Sequence, residues 1–308
     1  MRSGHNGKGG GMKTDAGAAG PGAAGEPLEM LLELLDLERL ELNLFRGLNR
    51  DIGSGRLFGG QVLAQALVAA GRTVEGRTAH SLHGYFMLAG DVATPVVYQV
   101  DRIRDGKSFT TRRVLAIQEG REIFTMTCSF HVPEPGVEHG AALPDVPAPE
   151  ELPRELDLVR AMAGRIPEPL RDIYTQDRPI DFRPVDPVDP FAPEVREPVK
   201  HMWFRAEGRM PDDLILHQAV MAYASDYGLL GTALLPHGLT YLMRRVQAAS
   251  LDHAVWFHRP FRVDDWLLYA MDAPAAAGAR GFTRGSLFTR DGTLVASTAQ
   301  EGLIRQRS

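Results

Sequence analysis

Asp226 stands where an apolar side chain would be expected. The stretch from Pro211 to Asp226 opens with a proline and two acids, which a helix N-terminus tolerates and favours. Ile215, Ala219 and Ala222 then recur at steps of four and three on one helical face, and the next step of four reaches Asp226. A carboxylate shielded from water loses hydration of its charged form and becomes a stronger base. The plain alternative is a helix that stops near Tyr227-Gly228 with Asp226 solvated in its last turn.

Other chemistries find less support. The G-x-S-x-G elbow of serine hydrolases does not occur, and Ser54 lies in Gly53-Ser54-Gly55 without strand-to-helix context. Ten histidines are present, but there is no H-E-x-x-H and no paired C-x-x-C. His80 and His83 are three apart on a strand-like run and point to opposite faces. No metal and no cofactor are therefore expected. Cys128, within Thr127-Cys128-Ser129 of a core strand, has no base nearby in sequence and reads as inert packing. Gly59-Gly60, at the start of a second helix, can offer free N–H groups to an oxyanion or can serve close helix–sheet packing; both readings stand.

The elements that must position these residues come in two matching sets. The first helix of small residues spans Phe58 to Gly71 and precedes strand-like runs at His80–Phe86, Pro95–Arg104, Lys107–Gln118 and Arg121–Val132. Asp105-Gly106 and Glu119-Gly120 are hairpin signals between them. The order then returns: a strand at Val199–Glu207, the Asp226 helix, and strands at His253–Arg259, Trp266–Asp272, Arg280–Arg290 and Thr293–Arg305. Phe86 and Tyr98 overlie Phe257 and Tyr269 at a shift of 171, while Thr111-Arg112 and Leu115 overlie Thr283-Arg284 and Leu287 at 172. At that second shift Cys128 falls opposite Gln300, and laying Gln61 on Gln218 puts Ala69 opposite Asp226. One repeat thus carries a carboxylate and an amide where the other carries small residues. A structural role would be needed in both halves; chemistry needs only one.

The chain is expected to divide into a Gly/Ala-rich disordered extension (1–27, with Met12 an alternative start), a first repeat (28–132), a connector (133–198) and a second repeat (199–308). The connector holds 14 of the 21 prolines, too many for continuous helix or sheet, with a helical piece expected only around Glu151 to Arg165. With 308 residues, 44% apolar and 24% charged, the composition is that of an ordinary globular protein. A net charge of −5 argues against a nucleic-acid partner, and no apolar run approaches the ~18 residues of a membrane span. The single cysteine excludes an internal disulfide framework and fits a reducing cytoplasm.

Five blocks carry a family resemblance: Phe58-Gly59-Gly60-Gln61, His80-Ser81-Leu82-His83, Asp105-Gly106-Lys107-Ser108-Phe109, Asp252-His253-Ala254-Val255-Trp256-Phe257-His258-Arg259-Pro260-Phe261, and Ala296-Ser297-Thr298-Ala299-Gln300-Glu301-Gly302. From about Leu28 to Arg305 the chain resembles acyl-CoA thioesterase II. That resemblance implies an α+β double hot-dog fold, two tandem repeats each with a central helix wrapped by a curved antiparallel sheet. It implies hydrolysis of acyl-CoA thioesters to free fatty acid and CoA, in fatty-acid and acyl-CoA metabolism, by a cytoplasmic homo-oligomer (dimer or tetramer). It also implies that Asp226, Ser250 and Gln300 together hold a water molecule. Gly59, Gly60, Gln61 and Arg259 are the candidate substrate contacts. Arg112, Arg113 and Arg284 join Arg259 as candidates for the CoA phosphates, although arginine on a strand more often faces solvent. Two alternatives stay open. A hot-dog hydratase or dehydratase would want a histidine beside the acid, and His217 lies on the same helix, nine residues before Asp226; a non-catalytic acyl-CoA binder would bind without turnover.

Overall fold

A computed structural model describes residues 26–53, 55–243 and 246–306. Residues 1–25, which hold most of the expected extension and Met12, lie outside it, as does Ser54. Helix α1 (Glu26–Leu35) buries Leu28, Leu31 and Leu35, an i, i+3, i+7 stripe. After it come β1 (Glu38–Glu41), β2 (Leu44–Gly47), α2 (Gly59–Gly71), β3 (Thr78–Phe86), β4 (Val96–Asp105), β5 (Phe109–Gln118) and β6 (Arg121–His131). The proline-rich stretch holds α3 (Glu155–Ala161), α4 (Glu168–Thr175) and β7 (Ile180–Pro184). The second set is β8 (Val199–Ala206), α5 (Leu214–Ser225), β9 (Val246–Ser250), β10 (Asp252–Phe257), β11 (Leu267–Ala277), β12 (Arg280–Thr289) and β13 (Leu294–Gln306).

The thirteen strands among the described residues join one sheet in the order β1-β2-β4-β5-β6-β3-β10-β13-β12-β11-β8-β7, with β9 also paired to β13. The order β2-β4-β5-β6-β3 and its counterpart β8-β11-β12-β13-β10 meet at an antiparallel seam, where His83 of β3 pairs with Ala254 of β10. Edge-to-edge joining removes the unpaired strand that each half would expose alone. The Pro-rich stretch is more ordered than its composition implied. β7 extends the sheet beyond β8, and Leu143, Val146 and Leu152 cover a small cluster of Trp203, Trp266, Leu268 and Phe288 on the second half. The Trp203 indole N–H donates to the Pro147 carbonyl at 2.9 Å.

Strand pairing corrects the repeat alignment by one residue. Tyr98 pairs with Ala116, and Tyr269 pairs with Leu287. The ion pair of Arg113 with Asp101 likewise recurs as Arg284 with Asp272. Arg284 is therefore the counterpart of Arg113, not of Arg112, and the shift of 171 persists through β5 and β12. Since Arg112 pairs with Cys128 and Thr283 with Gln300, the opposition of Cys128 and Gln300 holds. The extra residue enters between those strands. A one-residue slip flips every side chain to the other face, and the coincident Thr-Arg pairs concealed it.

Helices α2 and α5 lie against each other inside the sheet and run antiparallel. A Cβ on Gly60, at the start of α2, would stand 2.5 Å from the Tyr223 carbonyl near the end of α5. At the other end, a Cβ on Gly71 would stand 2.8 Å from Ile215 Cγ1. Every residue of α2 from Gly60 to Ala70 is buried, so its small side chains are what let two helices share one sheet's interior. The Gly60 contact is with backbone, which cannot rotate away. Gly60→Ala is expected to destabilise the protein by about 1–3 kcal/mol, the usual cost of overpacking. Chemical denaturation checks it, and an unchanged midpoint would show that the helices can separate freely.

Candidate active site

Helix α5 is buried on nearly all sides from His217 to Ser225, not along a single stripe as its apolar spacing suggested. Its N-cap is Asp213, whose carboxylate accepts from the Ile215 N–H at 3.1 Å. Its C-cap is Asp226, with a side chain only 6% exposed. The solvated alternative is thereby excluded. A carboxylate at a helix C-terminus faces the negative end of the helix dipole. Here the antiparallel partner compensates, because a Cβ on Gly59 would lie 2.8 Å from Asp226 Oδ2. The carboxylate thus abuts the N-terminus of α2, where Phe58 supplies no side-chain cap and the first N–H groups lack helical partners.

Three further side chains converge on it. Gln300 of β13 is buried, and its Nε2 donates to Asp226 Oδ1 at 2.7 Å. The same Nε2 lies 3.1 Å from Ser250 Oγ of β9 and 3.1 Å from His253 Nδ1 of β10. Ser250 and His253 are three apart and on a regular strand would face opposite ways. A bulge brings them together. Strands β9 and β10 run along the same edge of β13, with Ser250 opposite Gly302 and Ala254 opposite Ala299. One extra residue is therefore accommodated between them, and such irregularities re-aim side chains beside active sites. The break is fastened to Glu301, whose N–H donates to Asp252 Oδ1 at 2.6 Å and whose carbonyl accepts from the Leu251 N–H at 2.9 Å.

His253 joins this candidate site although no motif in the sequence singled it out. Val255 and Phe257 share its inward face, and that alternation was the available signal. Its ring is fully buried, with Nε2 2.9 Å from Ser225 Oγ and Nδ1 3.8 Å from Asp226 Oδ1. Burial pushes the imidazole below the usual histidine range; the charges of Asp226 and Asp252 oppose the shift without cancelling it. His217 is also buried, and burial likewise lowers it. Its Nδ1 accepts from the Val263 N–H at 3.1 Å. It sits more than two turns from Asp226 along α5 and is not the partner that the hydratase alternative would need.

The remaining candidates separate. Gly59 and Gly60 meet Asp226 and Tyr223, while Gln61 holds the preceding segment, accepting from the Arg50 N–H and donating to Leu48 O and Asn49 Oδ1. Arg259 donates to the Leu294 carbonyl at 3.0 Å and pairs with Glu138, bonds that tie the Pro-rich stretch to β13. Arg112 is buried and bonded to Thr73 and Asp105. Arg113 and Arg284 are held by Asp101 and Asp272 on the outer face. Burial pushes the Cys128 thiol up to about 12, against the nearby Arg112 charge, and a thiol in that state is no nucleophile. Among the described residues, no three His, Cys, Asp or Glu side chains stand close enough to share a metal ion. No helix among them is long and apolar enough to cross a membrane.

Two like halves, each a helix wrapped by an antiparallel sheet and joined at one seam, define a double hot-dog architecture. A solved hot-dog protein from Alicyclobacillus acidocaldarius superimposes with a TM-score of 0.73 over 91% of this chain and 99% of that one, at 21% identity. The family model described as acyl-CoA thioesterase matches residues 169–303, and that of the acyl-CoA thioesterase N-terminal domain matches residues 48–131. Acyl-CoA thioesterase 2 of Haemophilus influenzae is 40% identical over 90% of this chain and 98% of its own length. Human acyl-coenzyme A thioesterase 8 is 43% identical, covering 90% and 89%. The crystal structure of an acyl-CoA thioesterase II from Mycobacterium marinum is 42% identical, with a TM-score of 0.73 over 90% of this chain and 99% of that one. The chain belongs to the acyl-CoA thioesterase II family.

The buried histidines make a pH prediction. In His253 and His217 the folded protein binds a proton less readily than the unfolded chain, whose histidines titrate near pH 6.5. Their contribution to stability is therefore present above about pH 6.5 and is lost progressively as the pH falls from there through the lowered folded-state values. A thermal midpoint that is level from about pH 8 to 7 and declines from about 6.5 toward 5 is expected; a midpoint that rises on acidification would contradict it.

Proposed function

We propose that this protein hydrolyses acyl-CoA thioesters to the free acid and CoA, and that Asp226, Gln300 and Ser250 of its C-terminal repeat (199–308) hold and activate the attacking water. The repeat at 28–132 contributes the glycine entrance of α2, and residues 133–198 connect the two. The observation that carries the reading is the 2.7 Å bond from Gln300 Nε2 to Asp226 Oδ1 with Ser250 Oγ alongside. Asp226 and Ser250, 74 and 50 positions before Gln300, meet at its amide nitrogen. Gln300 occupies Oδ1, and Oδ2 faces the α2 N-terminus.

In this mechanism Asp226 Oδ2 takes a proton from water as the water oxygen bonds to the thioester carbon. The carbonyl electron pair moves onto oxygen, and the resulting oxyanion lies against the free N–H groups at Gly59-Gly60. Collapse of the tetrahedral intermediate breaks the C–S bond. An alkyl thiol has a pKa near that of cysteine, ~8.5, so CoA leaves as the thiolate and needs no dedicated general acid. The proton held on Asp226 returns to the thiolate or to solvent. Acyl-CoA substrates place the enzyme in fatty-acid metabolism, and the lone buried Cys128 is consistent with a reducing cytoplasm. A hydratase would act on the same thioester without releasing thiol.

Asp226→Asn keeps the shape but cannot accept the proton, and kcat is expected to fall by roughly 10²–10⁴ with KM little changed. Gln300→Ala is expected to lower kcat as well, and the double variant to lose less than the product of the two, since both groups act on one water. Asp272→Asn, which breaks only an exposed pair with Arg284, serves as control. Thiol release across an acyl-CoA series is the assay. A folded Asp226→Asn protein that releases thiol at the rate of the control would remove Asp226 from the mechanism.

A further inference from the structure

The Gln300 amide has two hydrogens, and the structure sets three partners around its nitrogen. Which of them receive those hydrogens follows from donor counting. Ser225 Oγ lies 2.8 Å from the Ala222 carbonyl, which can only accept, so its one hydrogen points there. Toward His253 Nε2, at 2.9 Å, Ser225 Oγ can then only accept, and the hydrogen between them belongs to Nε2. A neutral imidazole with Nε2–H leaves Nδ1 as a bare acceptor. Nδ1 faces Gln300 Nε2 at 3.1 Å, so one amide hydrogen goes to His253 and the other to Asp226 Oδ1. Ser250 Oγ receives neither, and its hydroxyl stays available for water.

The opposite arrangement fails at both ends. With hydrogen on Nδ1, the histidine would face the amide NH2 donor to donor. Flipping the amide to satisfy it would turn Gln300 Oε1 onto the Asp226 carboxylate, acceptor against acceptor. Only one direction of bonding is consistent with an ionised Asp226: from Gln300 into the carboxylate, from Gln300 into His253, from His253 into Ser225, and from Ser225 into the α5 backbone. The bulge between Ser250 and Ala254 is what brings His253 to this position, and its complete burial excludes water as a substitute partner. Tyr269 fixes the far end by donating to the Ser225 carbonyl at 3.0 Å.

We infer that His253, held by Ser225 as its Nε2–H tautomer, is a positioning residue that fixes the orientation of the Gln300 amide and so keeps its NH2 on Asp226. The inference rests on the hydrolytic reading above, in which Gln300 and Asp226 share the attacking water. His253 does not touch the substrate; it acts through Gln300. Side chains that carry an acceptor at the Nδ1 position can replace it, and apolar ones of similar size cannot.

The test uses the full chain and thiol release from one acyl-CoA. His253→Asn places Oδ1 near the position of Nδ1 and is expected to hold kcat within about tenfold of the wild type. His253→Leu is expected to lower kcat by about 10²-fold, the scale set by misplacing a catalytic group, with KM unchanged. Adding Gln300→Ala to His253→Leu is expected to cost nothing beyond Gln300→Ala alone. A merely structural histidine would give multiplied losses, or equal losses for Asn and Leu, and either result overturns the proposal. Should His253→Leu fail to fold, 15N NMR of the wild-type imidazole decides: the Nε2–H signature at neutral pH supports the assignment, and Nδ1–H or imidazolium refutes it. If Asp226→Asn retains activity, the hydrolytic reading fails first. If Asp226→Asn is inactive while folded His253→Leu is not, this inference alone fails.

Discussion

The contact on which the rest depends is the meeting of two helix ends. Helix α5 finishes in Asp226, and α2 begins in Gly59 directly beside it. A carboxylate at a helix C-terminus is destabilised by the dipole of its own helix by about 0.3–1 kcal/mol, and more when partly buried. The N-terminus of α2 offsets this, because it presents unpaired N–H groups and the positive end of a second dipole. That compensation works only if the helices are antiparallel and close, which in turn requires glycine at 59 and 60. A methyl at 59 would meet the carboxylate and the Phe86 ring, and one at 60 would meet the Tyr223 carbonyl. The first repeat carries small residues at the matching positions, yet it supplies the end that makes the other repeat's carboxylate tenable.

Duplication explains the frame, and divergence explains the chemistry. Tyr98 and Tyr269 are equivalent in the two sheets and both reach inward to their central helix, the first to Gln65 Oε1 at 2.7 Å, the second to the Ser225 carbonyl. Gln65 is then fully engaged, donating to Leu34 and Leu48 carbonyls. Where the second repeat has Thr283 and Gln300, the first has Arg112 and Cys128. The Arg112 guanidinium is consumed by Thr73, Asp105 and backbone carbonyls. At these matching positions the first half closes its buried polar groups, although Arg77 Nε and His80 Nε2 elsewhere in it have no partner among the described residues. The second leaves Gln300 Oε1 without a partner among the described residues, an omission that costs about 1–3 kcal/mol unless a ligand or water fills it. Gln218 Oε1 is left in the same state, and no catalytic reading attaches to it.

What the sequence revealed depended on period and on repetition. Asp226 was legible because helical spacing carried an apolar pattern onto an acid, and Gln300 because its counterpart was Cys128. Ser250 came from the family resemblance alone. Its strand, Val246-Gln247-Ala248-Ala249-Ser250, is short and alanine-rich and carries no alternation of its own. His253 escaped because three-residue spacing across a bulge looks like opposite faces, and a bulge has no signature in one sequence. The same blindness to single-residue insertions put Thr111-Arg112 over Thr283-Arg284. Proline content was a fair guide to residues 133–198, which hold only short elements, but it gave no sign of how they dock. Proline limits long elements, but it does not stop short ones from docking when a Trp203–Trp266 cluster needs cover.

Thioester chemistry accounts for why such a sparse site suffices. An amide or an ester must expel a strongly basic leaving group, so its hydrolases hold a proton donor on the leaving side. A thiolate departs near neutral pH unaided. The burden then falls on one base, on the placement of one water, and on donors for the oxyanion. In the proposed mechanism the Asp226 carboxylate answers the first and the N-terminus of α2 the last. Placement is the demanding part, because a water molecule has no rigid attachment. A carboxamide fixed in one orientation answers that demand better than a hydroxyl, which rotates, or a second acid, which would repel the first. On the proposed reading an amide is therefore paired with the carboxylate in the second repeat, and the residues around Gln300 leave it only one way to point.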